Sequence, residues 1–248
     1  MTHDGVYVYG IVRAAHPVPT ALHGVGNPPE AVTTIKEGRL AAVVSPAPPQ
    51  LRARRRDLLA HQELLLTLAE RGPLLPMRFG MVAPDEVAVR RQLADAEDRH
   101  LAVLERVADR VEINLKAMPA NDSLAAVVRD DRTVRELREA VRRRPSYEAN
   151  VRLGEAVATA LSRRAAEAGR DAVGELRRAA HAVAAGPEVS GCVMNVSFLV
   201  NRDDCDGFTE QARLLAQRHR DRADLRVAGP LPCYSFMEPE HAAERTGV

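Results

Sequence analysis

Few residue types carry chemistry, so the cysteines, histidines, serines and arginines are read first. Cys192, Cys205 and Cys233 are the three cysteines of the chain. No Cys-x-x-Cys and no His-x-x-x-His accompanies them, the spacings that bring thiolates and imidazoles onto one ion. An odd number at wide spacing is also no disulfide framework. They read as ordinary core thiols in a reducing compartment. Ser45, Ser197 and Ser235 fall near expected strand ends, but no Gly-x-Ser-x-Gly elbow surrounds them. His61 sits mid-helix beside Gln62 and Glu63 without an identifiable partner, so it reads as structural or surface-lying rather than as a general base. Gly24-Val25-Gly26-Asn27-Pro28-Pro29 has too few glycines for a phosphate loop and precedes a strand, not a helix.

Two arginine runs stand out. Arg142, Arg143 and Arg144 close a helix, where the helix dipole favours cations. Arg52, Arg54, Arg55 and Arg56 lie near a helix start, where it does not, and are the more suggestive of the two runs. Neither has interleaved aromatics, so neither reads as a nucleic-acid surface. Two further segments invite a role. Pro73-Leu74-Leu75-Pro76-Met77-Arg78-Phe79-Gly80 places Arg78 between apolar neighbours, which predicts a partly buried guanidinium held by a carboxylate or by backbone carbonyls. Gly229-Pro230-Leu231-Pro232-Cys233-Tyr234-Ser235-Phe236 brings two aromatics to the chain end, although aromatics make up only 3% of the sequence. Such aromatics predict an anchored contact, within the protein or with a partner. Arg78, Phe79, Tyr234 and Phe236 are thus the candidate structural or partner-contact residues. No catalytic, cofactor-binding or metal-binding residue is nominated.

These residues need elements to position them. At 248 residues and 46% apolar content the chain can fill a real core, mostly with Leu, Val and Ala, in one large domain or two small ones. The formal net charge of +1 argues against a dedicated nucleic-acid binder. The start Met1-Thr2-His3-Asp4 lacks a basic region followed by an apolar run, and no apolar stretch approaches bilayer-spanning length, so the chain reads as cytoplasmic. Residues 5–12 predict a strand, and residues 31–36 and 39–45 a hairpin about Gly38. A helix follows over 51–71 with Leu58, Leu65 and Leu68 at helical spacing, then a strand over 74–79 and a helix over 85–109. Residues 111–118 alternate Val111, Ile113, Leu115 and Ala117 with polar partners, the pattern of a half-buried strand. Pro119–Asp122 is the expected boundary, giving an N-terminal α+β domain over 1–119 and a C-terminal domain over 120–248. The second domain predicts helices over 132–144 and 146–185, a strand over 191–200, a helix over 207–220 and a strand over 225–229. The fold class is α+β in two domains, each a small sheet with packed helices, the second one ferredoxin-like.

The same segments carry a resemblance. Tyr7-Val8-Tyr9-Gly10-Ile11-Val12, Leu40-Ala41-Ala42-Val43-Val44-Ser45, His61, Leu75-Pro76-Met77-Arg78-Phe79-Gly80, Arg152-Leu153-Gly154-Glu155 and the closing Gly229–Phe236 run occur in the order found in the GvpL/GvpF family of gas-vesicle proteins. The chain resembles that family over nearly its whole length. Cys233, where the family more often has Pro, and Met77, where Leu is usual, are departures. The resemblance implies a non-enzymatic minor component needed for vesicle formation, cytoplasmic and vesicle-associated, with a modified ferredoxin-like C-terminal domain. It implies contact with the small hydrophobic shell protein and other accessory proteins, without nucleic acid, membrane or cofactor. Two other readings stay open. An enzyme or small-ligand-binding protein on a ferredoxin-like scaffold would need a pocket with convergent polar groups around His61 or Arg78. An RNA-binding module would need exposed aromatics on a sheet face, for which Tyr7 and Tyr9 are the candidates.

Overall fold

The computed structural model describes residues 5–49, 51–120 and 123–237. The Met1–Asp4 start and two residues of the expected boundary, Asn121 and Asp122, lie outside them. The chain divides into two compact units, residues 1–112 with 231–248 and residues 113–230.

The first unit contains β1 (Val6–Arg13), β2 (Thr33–Glu37), β3 (Leu40–Pro46), α1 (Arg55–Ala69), β4 (Leu74–Pro76), β5 (Val82–Ala83), α2 (Glu86–Asp95), α3 (Glu97–Arg106) and the start of β6 (Arg110–Pro119). Its sheet runs β2-β3-β1-β4, and β5 also pairs with β1. The β2–β3 hairpin turns on Gly38, whose φ of 54° is cheap only without a side chain.

The central strand changes phase. Its register against β3 slips between Val8 and Gly10, a β-bulge. Tyr7, Tyr9 and Val12 therefore share the core that α1 covers, while Val8 and Ile11 look toward α2 and α3. A plain strand would have put Ile11, not Val12, with the tyrosines. Gly10 allows the next layer to close. A Cβ there would lie 2.6 Å from Leu74 Cδ1 and 2.8 Å from Leu75 O, so β4 can pair only against a glycine.

Asp57, His61, Leu64, Leu65 and Leu68 form the buried stripe of α1. Leu58, expected in that stripe, is 41% exposed. Two polar side chains set the phase, because both find partners inside. The helix expected over 85–109 is broken at Ala96 (φ −122°, ψ 16°). The break lets Glu97 accept the Arg39 backbone N–H at 2.8 Å and its Nε–H at 2.9 Å. The expected apolar residues Val89, Leu93, Leu101, Leu104 and Val107 are all buried.

The second unit holds the rest of β6, then α4 (Ser123–Asp130), α5 (Arg132–Arg143), α6 (Tyr147–Leu176), β7 (Ala182–Ala185), β8 (Met194–Asn201), α7 (Cys205–Arg218) and β9 (Ala223–Leu231). Its sheet order is β7-β8-β6-β9. Read along the chain this is β-α-β-β-α-β with the first and third strands central, the ferredoxin-like arrangement. The helix expected over 146–185 stops at Leu176, and Ala182–Ala185 pairs antiparallel with β8. Gly169 does not break α6. It packs on the sheet, where a Cβ would come to 3.1 Å from both Ala117 Cβ and Met194 Sδ.

Candidate functional site

The residues best suited to acid–base or nucleophilic chemistry converge at one place in the first unit. Tyr7 and Tyr9 project from β1, Ser45 from β3, and Asp57 and His61 from α1, all buried. The segment between β4 and β5 leaves the sheet and crosses over them. Met77 N–H bonds Tyr9 O at 2.8 Å, Val8 N–H bonds Met81 O at 2.9 Å, and the loop between carries Arg78, Phe79 and Gly80. The rings of Tyr7, Tyr9, His61 and Phe79 pack together at centroid separations of 4.7 to 6.0 Å.

The hydrogen bonds assign the protons. His61 Nε2 lies 3.0 Å from Met77 O, which can only accept, so Nε2 carries the hydrogen. Nδ1 then accepts from the Tyr7 hydroxyl at 2.9 Å, and that hydroxyl accepts the Gly80 N–H at 3.2 Å. A second chain runs beside it. Val25 N–H donates to the Tyr9 hydroxyl at 2.8 Å, Tyr9 donates to Ser45 Oγ at 3.0 Å, and Ser45 donates to Pro46 O at 3.1 Å. Burial pushes the Tyr7 and Tyr9 hydroxyls up and His61 below its ordinary value, so all three stay neutral near pH 7.

This arrangement leaves the imidazole with both nitrogens engaged and the serine with its proton committed. It locks four pieces of backbone together. The Gly24–Gly26 run belongs to the lock: Gly24 N–H bonds Glu30 O at 2.8 Å and Gly26 N–H bonds Asp57 Oδ1 at 3.2 Å. A Cβ on Gly24 would overlap the Tyr9 hydroxyl. The N–H groups that could cradle a phosphate are thus bonded internally. Tyr7 and Tyr9 are fully buried, which removes the exposed stacking platform that an RNA-binding sheet would need.

The expected contact residues separate. Phe79 joins the aromatic cluster. Arg78, expected to be partly buried, is exposed, and its guanidinium has no hydrogen bond or ion pair among the described residues. The reason is that β4 ends at Pro76, so Arg78 stands on the outer side of a loop rather than between apolar neighbours in a strand. Tyr234 and Phe236 lie in a 3-10 turn that returns to the first unit. Its anchor is Glu112 of β6, a buried carboxylate that accepts the Ser235 N–H and the Ser235 hydroxyl, each at 2.8 Å. Arg106 donates to Phe236 O, and Phe236 is buried. The Tyr234 hydroxyl is pushed up to about 12, by burial and then by Glu112. Tyr234 also contributes to the raised Tyr7 value. Glu112 was missed because its alternation put it on a solvated face. The cysteines lie apart: Cys192 bonds Met194 O and Ala117 O, Cys205 is buried at the start of α7, and Cys233 lies 3.7 Å from Arg110 O. Among the described residues no three His, Cys, Asp or Glu are grouped to hold a metal, and no helix is long and apolar enough to cross a membrane.

Behind the sheet, on the side facing away from α1, lies a cavity of about 400 Å³. Val8, Ile11 and Ala42 form its floor and Val89 and Leu93 one wall, with Gln92, Arg99 and His100 supplying polar groups.

Fold and site together define a two-unit α+β protein with a ferredoxin-like second unit, whose most chemically capable side chains hold its own loops in place. Residues 5–238 match the family described as gas vesicle synthesis protein GvpL/GvpF. Gas vesicle protein F of Streptomyces sp. (strain CB03234) is 43% identical over 239 residues, covering 94% of this chain and 99% of its own length. Gas vesicle protein L of the same strain is 30% identical over 271 residues, covering 97% of each. The crystal structure of GvpF from Anabaena sp. PCC7120 superposes with a TM-score of 0.74 at 22% identity, over 96% of this chain and all of that one. That from Microcystis aeruginosa gives 0.73, also at 22% identity, over 95% of this chain. The chain belongs to the GvpL/GvpF family and is a gas-vesicle-associated protein.

Proposed function

We propose that this protein binds the small hydrophobic shell subunit of gas vesicles and supports vesicle assembly as a minor component, without catalysing a reaction. The observation that carries this reading is family membership over residues 5–238. Physical reasoning supports it. A shell that keeps water out of a gas space is built from subunits with apolar surface, and such subunits aggregate before assembly unless a partner covers them. The first unit offers apolar side chains to water in one region: Met81, Val82 and Val87 are all exposed. His61, Tyr7 and Ser45, the groups a catalytic reading would draw on, are bonded to one another or to backbone.

Binding to such a partner rests mainly on apolar contact. Deletion of the gene from a vesicle-forming cluster tests the reading. Cells without intact vesicles, restored by the gene in trans, are the expected result. Normal vesicles in the deletion strain would overturn it.

A further inference from the structure

We propose that the cavity behind the sheet of the first unit seats an apolar side chain from an amphipathic, acid-flanked segment of the shell subunit. This rests on the functional reading above and adds to it where the contact is made and by what chemistry.

Four observations converge. The cavity, about 400 Å³, is large enough for a bulky apolar group and is floored by Val8, Ile11 and Ala42. Its mouth continues into exposed apolar surface, since Met81 is 50% and Val82 46% exposed and both line it. A small molecule filling the cavity would leave these side chains in water, whereas a polypeptide lying across the mouth covers them. His100 lines the cavity, and its Nδ1 is buried with no hydrogen-bond partner among the described residues. A buried nitrogen in that condition is completed by an incoming N–H, hydroxyl or carbonyl, which a peptide backbone or polar side chain supplies.

Charge selects the flank of the occupant. Arg99, at the rim, makes no ion pair among the described residues. Asp95, the carboxylate that lines the cavity, already faces Arg91 at 3.7 Å, and Glu37, Glu97 and Asp98 on the outer side of Arg99 face Arg90 or Arg39. The mouth is therefore apolar with one guanidinium left without an ion-pair partner, which matches a segment that is apolar on one face and carries Asp or Glu beside it. The bulge in β1 makes this surface, because it is the phase change after Val8 that directs Ile11 to this side.

The test uses the full chain and overlapping synthetic peptides that cover the shell subunit of the same organism, with binding followed by fluorescence anisotropy. Ala96→Phe puts a ring into the cavity from the α2–α3 junction. It is expected to weaken the best-binding peptide at least ten-fold, the effect of denying one apolar side chain its burial. Arg99→Glu, an exposed change that leaves folding intact, is expected to weaken it about five-fold, and replacing an acidic residue of the peptide by Lys is expected to restore binding to that variant alone. Arg213→Glu on α7 is the control and leaves binding unchanged. If the intact shell subunit binds the wild type and both cavity variants equally, the cavity is not the contact and this proposal falls while the functional reading stands. If the shell subunit binds no form of the protein, both fall. Decanoate bound by the wild type and lost in Ala96→Phe, with shell-subunit binding unaffected, would assign the cavity to a small amphiphile and also overturn the proposal. Dimerisation of the protein that Ala96→Phe abolishes, again with shell-subunit binding unaffected, would do the same in favour of a second copy.

Discussion

Each polar side chain in the core of the first unit has a particular hydrogen-bond task, and substitutions read those tasks out. Tyr7→Phe keeps the ring and removes the hydroxyl that joins His61 Nδ1 to the Gly80 N–H. It is expected to cost about 1–3 kcal/mol, measured by urea unfolding, because the buried His61 loses its donor and the Gly80 N–H its acceptor. Arg78→Ala is expected to change stability by less than about 0.5 kcal/mol in the same assay, since its exposed guanidinium makes no hydrogen bond or ion pair among the described residues. Acid sensitivity follows from the histidines. Burial holds His16, His61 and His100 below their ordinary value of 6.5. Below 6.5 the unfolded chain takes up protons that the native chain refuses, so the native state loses stability as the pH falls. The stabilisation is complete above about pH 6.5 and declines below it toward the lower native values. Thermal unfolding is expected to shift down steadily from pH 7.5 to pH 5.5, and less so in His61→Gln; a flat profile over that range would contradict the assignment. The sequence announced these residues without their roles. His61 reads as structural from a helical pattern lacking a partner, but its partner Tyr7 is 54 positions away, a separation no local pattern reports. Arg78 looked buried because its sequence neighbours are apolar, while a loop lets adjacent side chains face opposite ways.

At the level of elements, the backbone at Gly10 sets how closely the sheet can close. Gly10→Ala would force a methyl against Leu74 and Leu75 and is expected to cost about 1–3 kcal/mol by overpacking, with hydrogen exchange of the Met77 amide rising first because it bonds Tyr9 O across the same gap. If the substitution is silent in both measurements, the close approach of β4 to β1 is not what Gly10 provides. Strands with strong local signals were legible: β1, the β2–β3 hairpin, β6 and β8 fall where apolar β-branched runs, alternation in β6 and turn residues put them. Elements whose identity depends on a distant partner were not. Ala182–Ala185 is Ala-rich and follows a long helix, so local propensity extends the helix through it, yet pairing with β8 makes it a strand. Ala96 has good helix propensity, and α2 and α3 separate there because Glu97 serves the hairpin through Arg39. Gly10 sits at the bulge in β1 and is the residue type that marks one, but a glycine alone does not say which of Ile11 and Val12 faces α1.

For the molecule as a whole, the described residues at the close of the chain, 231–237, are part of the first unit. Truncation after Pro230 would remove both hydrogen bonds that Ser235 gives to Glu112 and would strip Phe236 from the core. It is expected to lower the stability of the first unit by about 3 kcal/mol or more. Hydrogen exchange resolved by peptide would then show faster exchange in β1 and α1 than in α6 and α7, and uniform protection would contradict the assignment. The class of fold was readable from sequence, because three strands with helices between them survive in the apolar pattern of residues 111–229, although β7 does not. The return of the chain end to Glu112 was not, since a carboxylate on the polar side of an alternating strand gives no sign that it is buried. The central claim, binding of the hydrophobic shell subunit through apolar contact, is tested most directly by co-purification of that subunit with the tagged full chain in about 1 M salt, where charges are screened beyond about 3 Å. The account predicts that the shell subunit stays bound, with at most a modest loss relative to low salt. Absence of the subunit at both low and high salt, or its complete release on raising the salt, would contradict it.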